Sequence, residues 1–191
     1  MFPPWEVLWE EITAVSLGGG AESIGSDAFN CYSEIREVRF GGGCTRIGES
    51  AFYRAESIQN LWLDEGLRVI DERAFEHCSG MTAIYLPASL GSIGSYAFYH
   101  CGALRHVYYG GTEAQWEAIE ISGEYNDDLF NAELHCGWGA DPEASELRLP
   151  EGLTEIAENA FEGSWGVAIH CSQGSAARAF AGAQGLMYRL E

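Results

Sequence analysis

Apolar side chains return along this chain at a fixed step. The pairs Ala28-Phe29, Ala51-Phe52, Ala74-Phe75 and Ala97-Phe98 stand 23 residues apart, and Ala160-Phe161 follows after a gap. Five residues before each Phe stand Ile24, Ile47, Ile70, Ile93 and Ile156. Later columns hold Ile35, Ile58, Met81 and Leu104, then Val38, Leu61, Ile84 and Val107, then Phe40, Leu63, Leu86 and Tyr109. A constant period of this size, carried by several columns in register, describes coils stacked on one another. No single coil can bury its apolar face alone.

The segments Glu37–Phe40, Asn60–Leu63, Ala83–Leu86 and His106–Tyr109 alternate outward and inward side chains, the signature of a half-buried strand. Turn signals follow each: Gly41-Gly42-Gly43, Asp64-Glu65-Gly66, Pro87-Ala88-Ser89 and Gly110-Gly111. The Ile and Ala-Phe part of the coil returns on the opposite side. It is too short for a full helix, so a single helical or 3₁₀ turn holding Phe inward is expected. The fold class is an α/β repeat solenoid, with one short parallel strand per 23-residue coil.

Ile12, Val15 and Leu17 precede Ile35, Val38 and Phe40 by one period, so a further strand comes first. Phe2, Trp5, Val7, Leu8 and Trp9 are expected to cap the open coil end ahead of it. The start has no basic residues, and Glu6, Glu10 and Glu11 interrupt it, so it does not read as a signal peptide. After Tyr109 the period fails. Thr112–Ile119 reads as a short helix, with Thr112 as N-cap and Gln115 at capping-box spacing. An acidic loop from Glu124 to Asp128 is expected next, then a strand near Leu134. Gly137–Ala144 reads as a loop. Leu147, Leu149, Leu153, Ile156 and Phe161 restore the repeat, Ser175–Gln184 reads as an Ala-rich helix capped by Ser175, and Leu186–Leu190 as a last strand. The organisation expected is 1–138 for cap, repeats and irregular coil, 139–145 for a linker, and 146–191 for a final repeat and C-terminal cap, all within one elongated domain.

The run Ile70-Asp71-Glu72-Arg73-Ala74-Phe75-Glu76-His77-Cys78, with Met81, Ile84 and Leu86, resembles the BspA-type leucine-rich repeat. The run Leu86-Pro87-Ala88-Ser89-Leu90-Gly91-Ser92-Ile93-Gly94-Ser95-Tyr96-Ala97-Phe98 is closer still. The likeness covers about residues 12–109 and returns at 146–161. Tyr108 through Trp116, with Asn131–Cys136, resembles an irregular coil of the same family. Cys44, in a column of aliphatics, and Asp71, where Gly follows Ile elsewhere, depart from the pattern. The resemblance implies a leucine-rich-repeat solenoid serving as a cell-surface or secreted bacterial binding module that contacts host or neighbouring-cell proteins.

Composition narrows the classes further. The net charge is −19 and every basic residue is Arg. Such a surface repels nucleic acid and anionic lipid. Solubility is its plain reading, with basic partners or divalent cations as the other. No run reaches the length of a membrane helix. Of the six cysteines, Cys78 and Cys101 share one repeat position, which reads as small buried thiols filling the core, with a bridge between adjacent coils as the alternative.

Ten residues after each Phe, the side chain is expected to point from the sheet into solvent. That column reads Arg39, Trp62, Tyr85 and Tyr108, with Arg148 in the matching place of the late repeat; beside it run Glu37, Asn60, Ala83 and His106. Exposed aromatics and Arg on consecutive strands form a contact patch of the kind that anchors partners. Cross-strand stacking that only stabilises the sheet is the alternative. Arg39, Asn60, Trp62, Tyr85, His106, Tyr108 and Arg148 are therefore the candidate binding residues. Four His-Cys dipeptides (His77-Cys78, His100-Cys101, His135-Cys136, His170-Cys171) invite a zinc reading. Neighbours on a strand point to opposite faces, however, so no metal site is expected. Acids such as Glu49, Glu72 and Glu158 fall on turns, where they are solvated, and no phosphate loop or nucleophile elbow occurs. No catalytic residue and no cofactor are expected. The partner is a protein, such as a host extracellular protein, or a glycan, bound by a monomer. The location is the cell surface or secreted if the chain is part of a longer one, and otherwise cytoplasmic, where it would serve as an interaction scaffold.

Overall fold

The computed structural model describes residues 11–40, 42–122, 125–137, 146–148, 155–156, 168–172, 175–184 and 188–190. Each regular coil contributes a longer strand on one side and a two-residue strand on the other. In chain order these are β1 (Ala14–Ser16), β2 (Ser23–Ile24), β3 (Glu37–Arg39), β4 (Arg46–Ile47), β5 (Asn60–Trp62), β6 (Val69–Ile70), β7 (Ala83–Leu86), β8 (Ser92–Ile93) and β9 (His106–Tyr109). There follow α1 (Glu113–Glu117), β10 (Glu120–Ile121), α2 (Asp127–Asn131) and β11 (Glu133–Cys136), then β12 (Glu146–Arg148), β13 (Ala168–Cys171), α3 (Ala176–Gln184) and β14 (Tyr188–Leu190).

All pairings are parallel. The longer strands form a β1–β3 pair and a β5–β7–β9–β11 ladder, and the short ones a ladder from β2 to β10 through β4, β6 and β8. Val15 pairs with Val38, Leu61 with Ile84 and Ile84 with Val107, so the register follows the 23-residue step. The solenoid expected from the spacing is therefore present. The second ladder goes beyond that expectation. Two residues per coil are too few to show an alternation, and only stacking turns them into a sheet.

The core lies between the two ladders. Phe52, Phe75 and Phe98 are fully buried. Phe29, Phe52, Phe75 and Phe98 stack ring on ring at 5.2, 5.5 and 5.5 Å. The turn that carries Phe29, Phe52, Phe75 or Phe98 closes bonds to the third residue back without forming a helix. It is held by two non-glycine residues per coil in the left-handed region: Asp27 and Cys31, Ser50 and Arg54, Arg73 and His77, Tyr96 and His100. That conformation costs about 1–2 kcal/mol per L-residue. The compensation is direct: the N–H groups of Asp27, Cys31, Ser50, Arg54, Arg73 and His77 each donate to a carbonyl of the next coil. The turn conformation is thus stabilised by stacking, as the hydrophobic core is.

The irregular coil follows the reading in part. Thr112 caps α1, and its side chain and that of Gln115 make the reciprocal capping-box bonds. Where an acidic loop was expected to run to Asp128, α2 begins at Asp127. Asn126, just ahead of it, is buried. Its Oδ1 accepts from the Phe98 N–H at 3.0 Å, and its Nδ2 donates to Gly94 O and Ser122 O. In the regular coils that Phe N–H donates to the Ala carbonyl one coil on. One side-chain amide therefore replaces the backbone of the missing repeat, and the ladder can change period. β11 then pairs with β9, Glu133 opposite His106.

The two departures from the repeat are accommodated. Asp71 accepts from Arg46 at 2.7 and 2.8 Å, and Cys44 is buried with its thiol on Arg46 O. Further on, β12, β13 and β14 form a separate three-stranded parallel ladder, on which α3 packs through Ala177 and Ala181 against Ile169 and Cys171. Ser175 caps that helix through the Arg178 N–H, as its sequence implies. The expected N-terminal cap over residues 2–9, the 139–145 linker, and Leu149, Leu153, Glu158 and Phe161 lie outside the described residues. No helix among the described residues is long and apolar enough to cross a membrane.

Candidate functional site

Strand alternation puts Val38, Leu61, Ile84 and Val107 in the core and their neighbours on the outer face. The parallel register then aligns that outer face into two rows. One runs Asn60, Ala83, His106, Glu133; the other runs Trp62, Tyr85, Tyr108, His135. Glu37 and Arg39 stand one 23-residue step before Asn60 and Trp62 on β3, which pairs with β1 and not with β5, and they form an ion pair with each other. Arg148 lies on β12, opposite His170 of β13.

The row has the predicted alignment but not the predicted exposure. Tyr85 is 5 % and Tyr108 only 1 % exposed. With Ala83 and Trp62 they make a small apolar cluster of their own, separate from the Phe core. The physical reason is the stacking itself: strands about 4.8 Å apart set flat rings face to face. Trp62 lies on Tyr85 at 4.3 Å, and Tyr108 lies on His135 at 4.8 Å. The burial pushes the Tyr108 hydroxyl up to about 12, with the Glu133 carboxylate adding to the effect. Gly110 and Gly111, read from the sequence as a turn, are also required by the rings. A Cβ at Gly110 would sit 2.7 Å from the Tyr85 hydroxyl, and one at Gly111 2.6 Å from the Tyr109 ring. Asn60 departs from the expected solvent contact as well, because its amide nitrogen and oxygen are buried without a hydrogen-bond partner. What meets solvent in this row is its first part: Arg39 is exposed and Trp62 half-buried.

At the other end the fold gathers groups that the sequence keeps apart. His106 Nδ1 lies 3.2 Å from His135 Nε2, and Glu133 Oε2 lies 3.6 Å from the first and 3.9 Å from the second. The imidazoles are mostly covered, whereas Glu133 reaches solvent. Burial lowers the proton affinity of His106, the neighbouring His135 lowers it further, and Glu133 opposes both. His135 is lowered by burial in the same way, again against Glu133. Sequence reasoning named His106 as a contact residue, weighed His135 only within the His-Cys zinc reading that it set aside, and missed Glu133. The Glu-x-His spacing marks one strand face, but the pairing with His106 exists only through the lengthened irregular coil.

The His-Cys dipeptides do not all lie on strands: His135-Cys136 sits on β11, whereas His77-Cys78 and His100-Cys101 follow the Phe on the turns. Cys78 and Cys101 are buried with their thiols on the carbonyls of Phe52 and Phe75, and Cys136 packs against the core. Burial raises the Cys78 thiol well above its ordinary value and pushes Cys101 up to about 12. All six cysteines are free thiols. His77 and His100 stack outside at 4.4 Å. Glu49 and Glu72 are exposed on their turns.

The sequence matches the family model of the BspA-type leucine-rich repeat region in six copies across residues 9–118. A leucine-rich cell-surface protein of Faecalibacterium prausnitzii A2-165 is similar in structure. Its TM-score is 0.51 at 25 % identity, over 58 % of this chain and 35 % of that one. The pneumococcal vaccine antigen PcpA shares the fold with a TM-score of 0.53 at 14 % identity, over 94 % of this chain and 42 % of its own. This chain thus spans well under half the length of either. No curated protein matches it.

Proposed function

The chain belongs to the BspA-type leucine-rich repeat family, and from that premise we propose a non-catalytic binding module that contacts a protein partner through the outer face of its strand ladder, at a bacterial cell surface or in secreted form. The observation that carries this reading is the ordered row on that face. Tyr85 and Tyr108 are its buried base, and Trp62 stacks on that base; Arg39, one 23-residue step earlier, is exposed. A half-buried indole braced from behind loses little conformational freedom on binding, and Trp and Arg are the commonest anchors of protein interfaces. In this reading Arg39 and Trp62 touch the partner, while Tyr85 and Tyr108 hold Trp62 in place. The solenoid supports the non-catalytic part of the reading, since folds of this kind are characteristic of binding proteins. The cell-surface protein it resembles supports the location.

The test is biolayer interferometry of the full chain against a panel of purified extracellular proteins, run beside a glycan array. A protein ligand is expected whose affinity falls at least tenfold in Trp62→Ala and in Arg39→Ala while circular dichroism shows both variants folded at the assay temperature. A panel without any binder, or a binder indifferent to both substitutions, overturns the proposal. Binding confined to glycans replaces it with a carbohydrate-recognition role.

A further inference from the structure

We propose that His106, Glu133 and His135 form a binding site for one divalent transition-metal ion of the zinc class, which ties the irregular coil to the last regular one. Glu133 and His135 are two residues apart on β11 and so share a face, and Glu133 stands directly opposite His106 of β9. Their ligand atoms, His106 Nδ1, His135 Nε2 and Glu133 Oε2, are separated by 3.2, 3.6 and 3.9 Å. A triangle with those sides has a circumradius of about 2.1 Å, which is the bond length zinc makes to His nitrogen and carboxylate oxygen. One ion in the plane of that triangle stands at bonding distance from all three atoms; a tetrahedral ion requires Glu133 to close in on the two imidazoles and the His106–His135 hydrogen bond to open.

The donor set selects the ion. Two imidazoles and one carboxylate suit zinc and its neighbours, whereas calcium and magnesium take oxygen ligands. The Tyr108 ring stacked on His135 restrains that imidazole, so part of the ordering has occurred before the metal arrives. The solvent-facing Glu133 marks the route of entry. A net charge of −19 raises the local concentration of cations at the surface. Three protein ligands leave one coordination position for water or for a group from another molecule. The ion joins two strands whose residues stand 29 positions apart in the chain. It is thus a cross-link at the point where the repeat changes period. This site is independent of the contact role given to Trp62 and Arg39, and its test does not depend on finding a partner.

The experiment is isothermal titration of ZnCl₂ into the full chain after chelator treatment, with Co²⁺ absorption as a second readout. One equivalent is expected to bind. Affinity is expected to fall at least tenfold in Glu133→Gln and in His135→Asn, and to stay unchanged in His77→Asn. Zinc should raise the thermal midpoint of the wild type and not that of Glu133→Gln. The Co²⁺ spectrum should lack thiolate charge-transfer bands. Glu133 is largely exposed, so Glu133→Gln keeps the fold and serves where His135→Asn does not. Absence of binding, a loss below tenfold in Glu133→Gln, or a thiolate spectrum overturns the site.

Discussion

Each buried Phe holds its neighbours as well as its own place. Phe75 is fully buried and lies between Phe52 and Phe98, both at 5.5 Å. Phe75→Ala removes the middle ring of this stack, and a loss of about 3–5 kcal/mol is expected, read by urea denaturation. The column of Phe was plain in the sequence, because a core residue repeated at fixed spacing has no other explanation. His77 obeys the same step on the outer side, one period before His100. Burial and the neighbouring His100 and Arg54 lower its proton affinity, while Glu76 and Glu56 oppose them. Below pH 6.5 the unfolded chain therefore takes up a proton at this position before the folded one does. Stability should fall as pH drops from 6.5 to the lower folded value, and His77 should contribute nothing above that window. Thermal midpoints at pH 7.5 and 5.5, measured with a chelator present, should differ less in His77→Asn than in the wild type; an equal difference would count against this assignment. The ring pair was legible in the sequence, because His77 and His100 stand one 23-residue step apart and stacked coils bring them together.

Among the elements, the start of α1 was readable to the residue because Thr112 and Gln115 carry their own hydrogen-bonding instructions; its end falls at Glu117, short of the Ile119 expected. Asn126 was not readable in this way. Its part in closing the stack depends on where the Phe98 N–H points after the last regular coil. Asn126→Ala leaves that buried donor without a partner, and a loss of about 1–3 kcal/mol is expected. Asn126→Asp keeps the acceptor but sets a buried carboxylate oxygen against the Gly94 and Ser122 carbonyls, so it should not restore the loss. Equal stability of the alanine variant and the wild type in denaturant titration would remove Asn126 from this role. The left-handed turns were hidden for a similar reason. Asp27, Ser50, Arg73 and Tyr96 share a conformation but no side-chain chemistry. What selects it is a hydrogen bond to another coil, and no local preference records that.

At the scale of the molecule, a net charge of −19 spread over stacked coils means that like charges recur at every step. Screening should relieve this repulsion, so the thermal midpoint is expected to rise between low salt and about 0.15 M NaCl. A falling midpoint would show that exposed pairs such as Arg46–Asp71 outweigh the repulsion. Periodicity alone determined the coil, its strand, its inward columns and the alignment of the outer row, since these are set by which residues are apolar and how far apart they stand. Tertiary structure decided how much of that row remains in water. Stacked rings cover one another, which made Tyr85 and Tyr108 a base and left Arg39 and Trp62 at the surface. It also decided that His106, Glu133 and His135 meet. Their encounter depends on the length and path of one irregular coil, and distance between chain positions carries no such information until the chain has closed on itself.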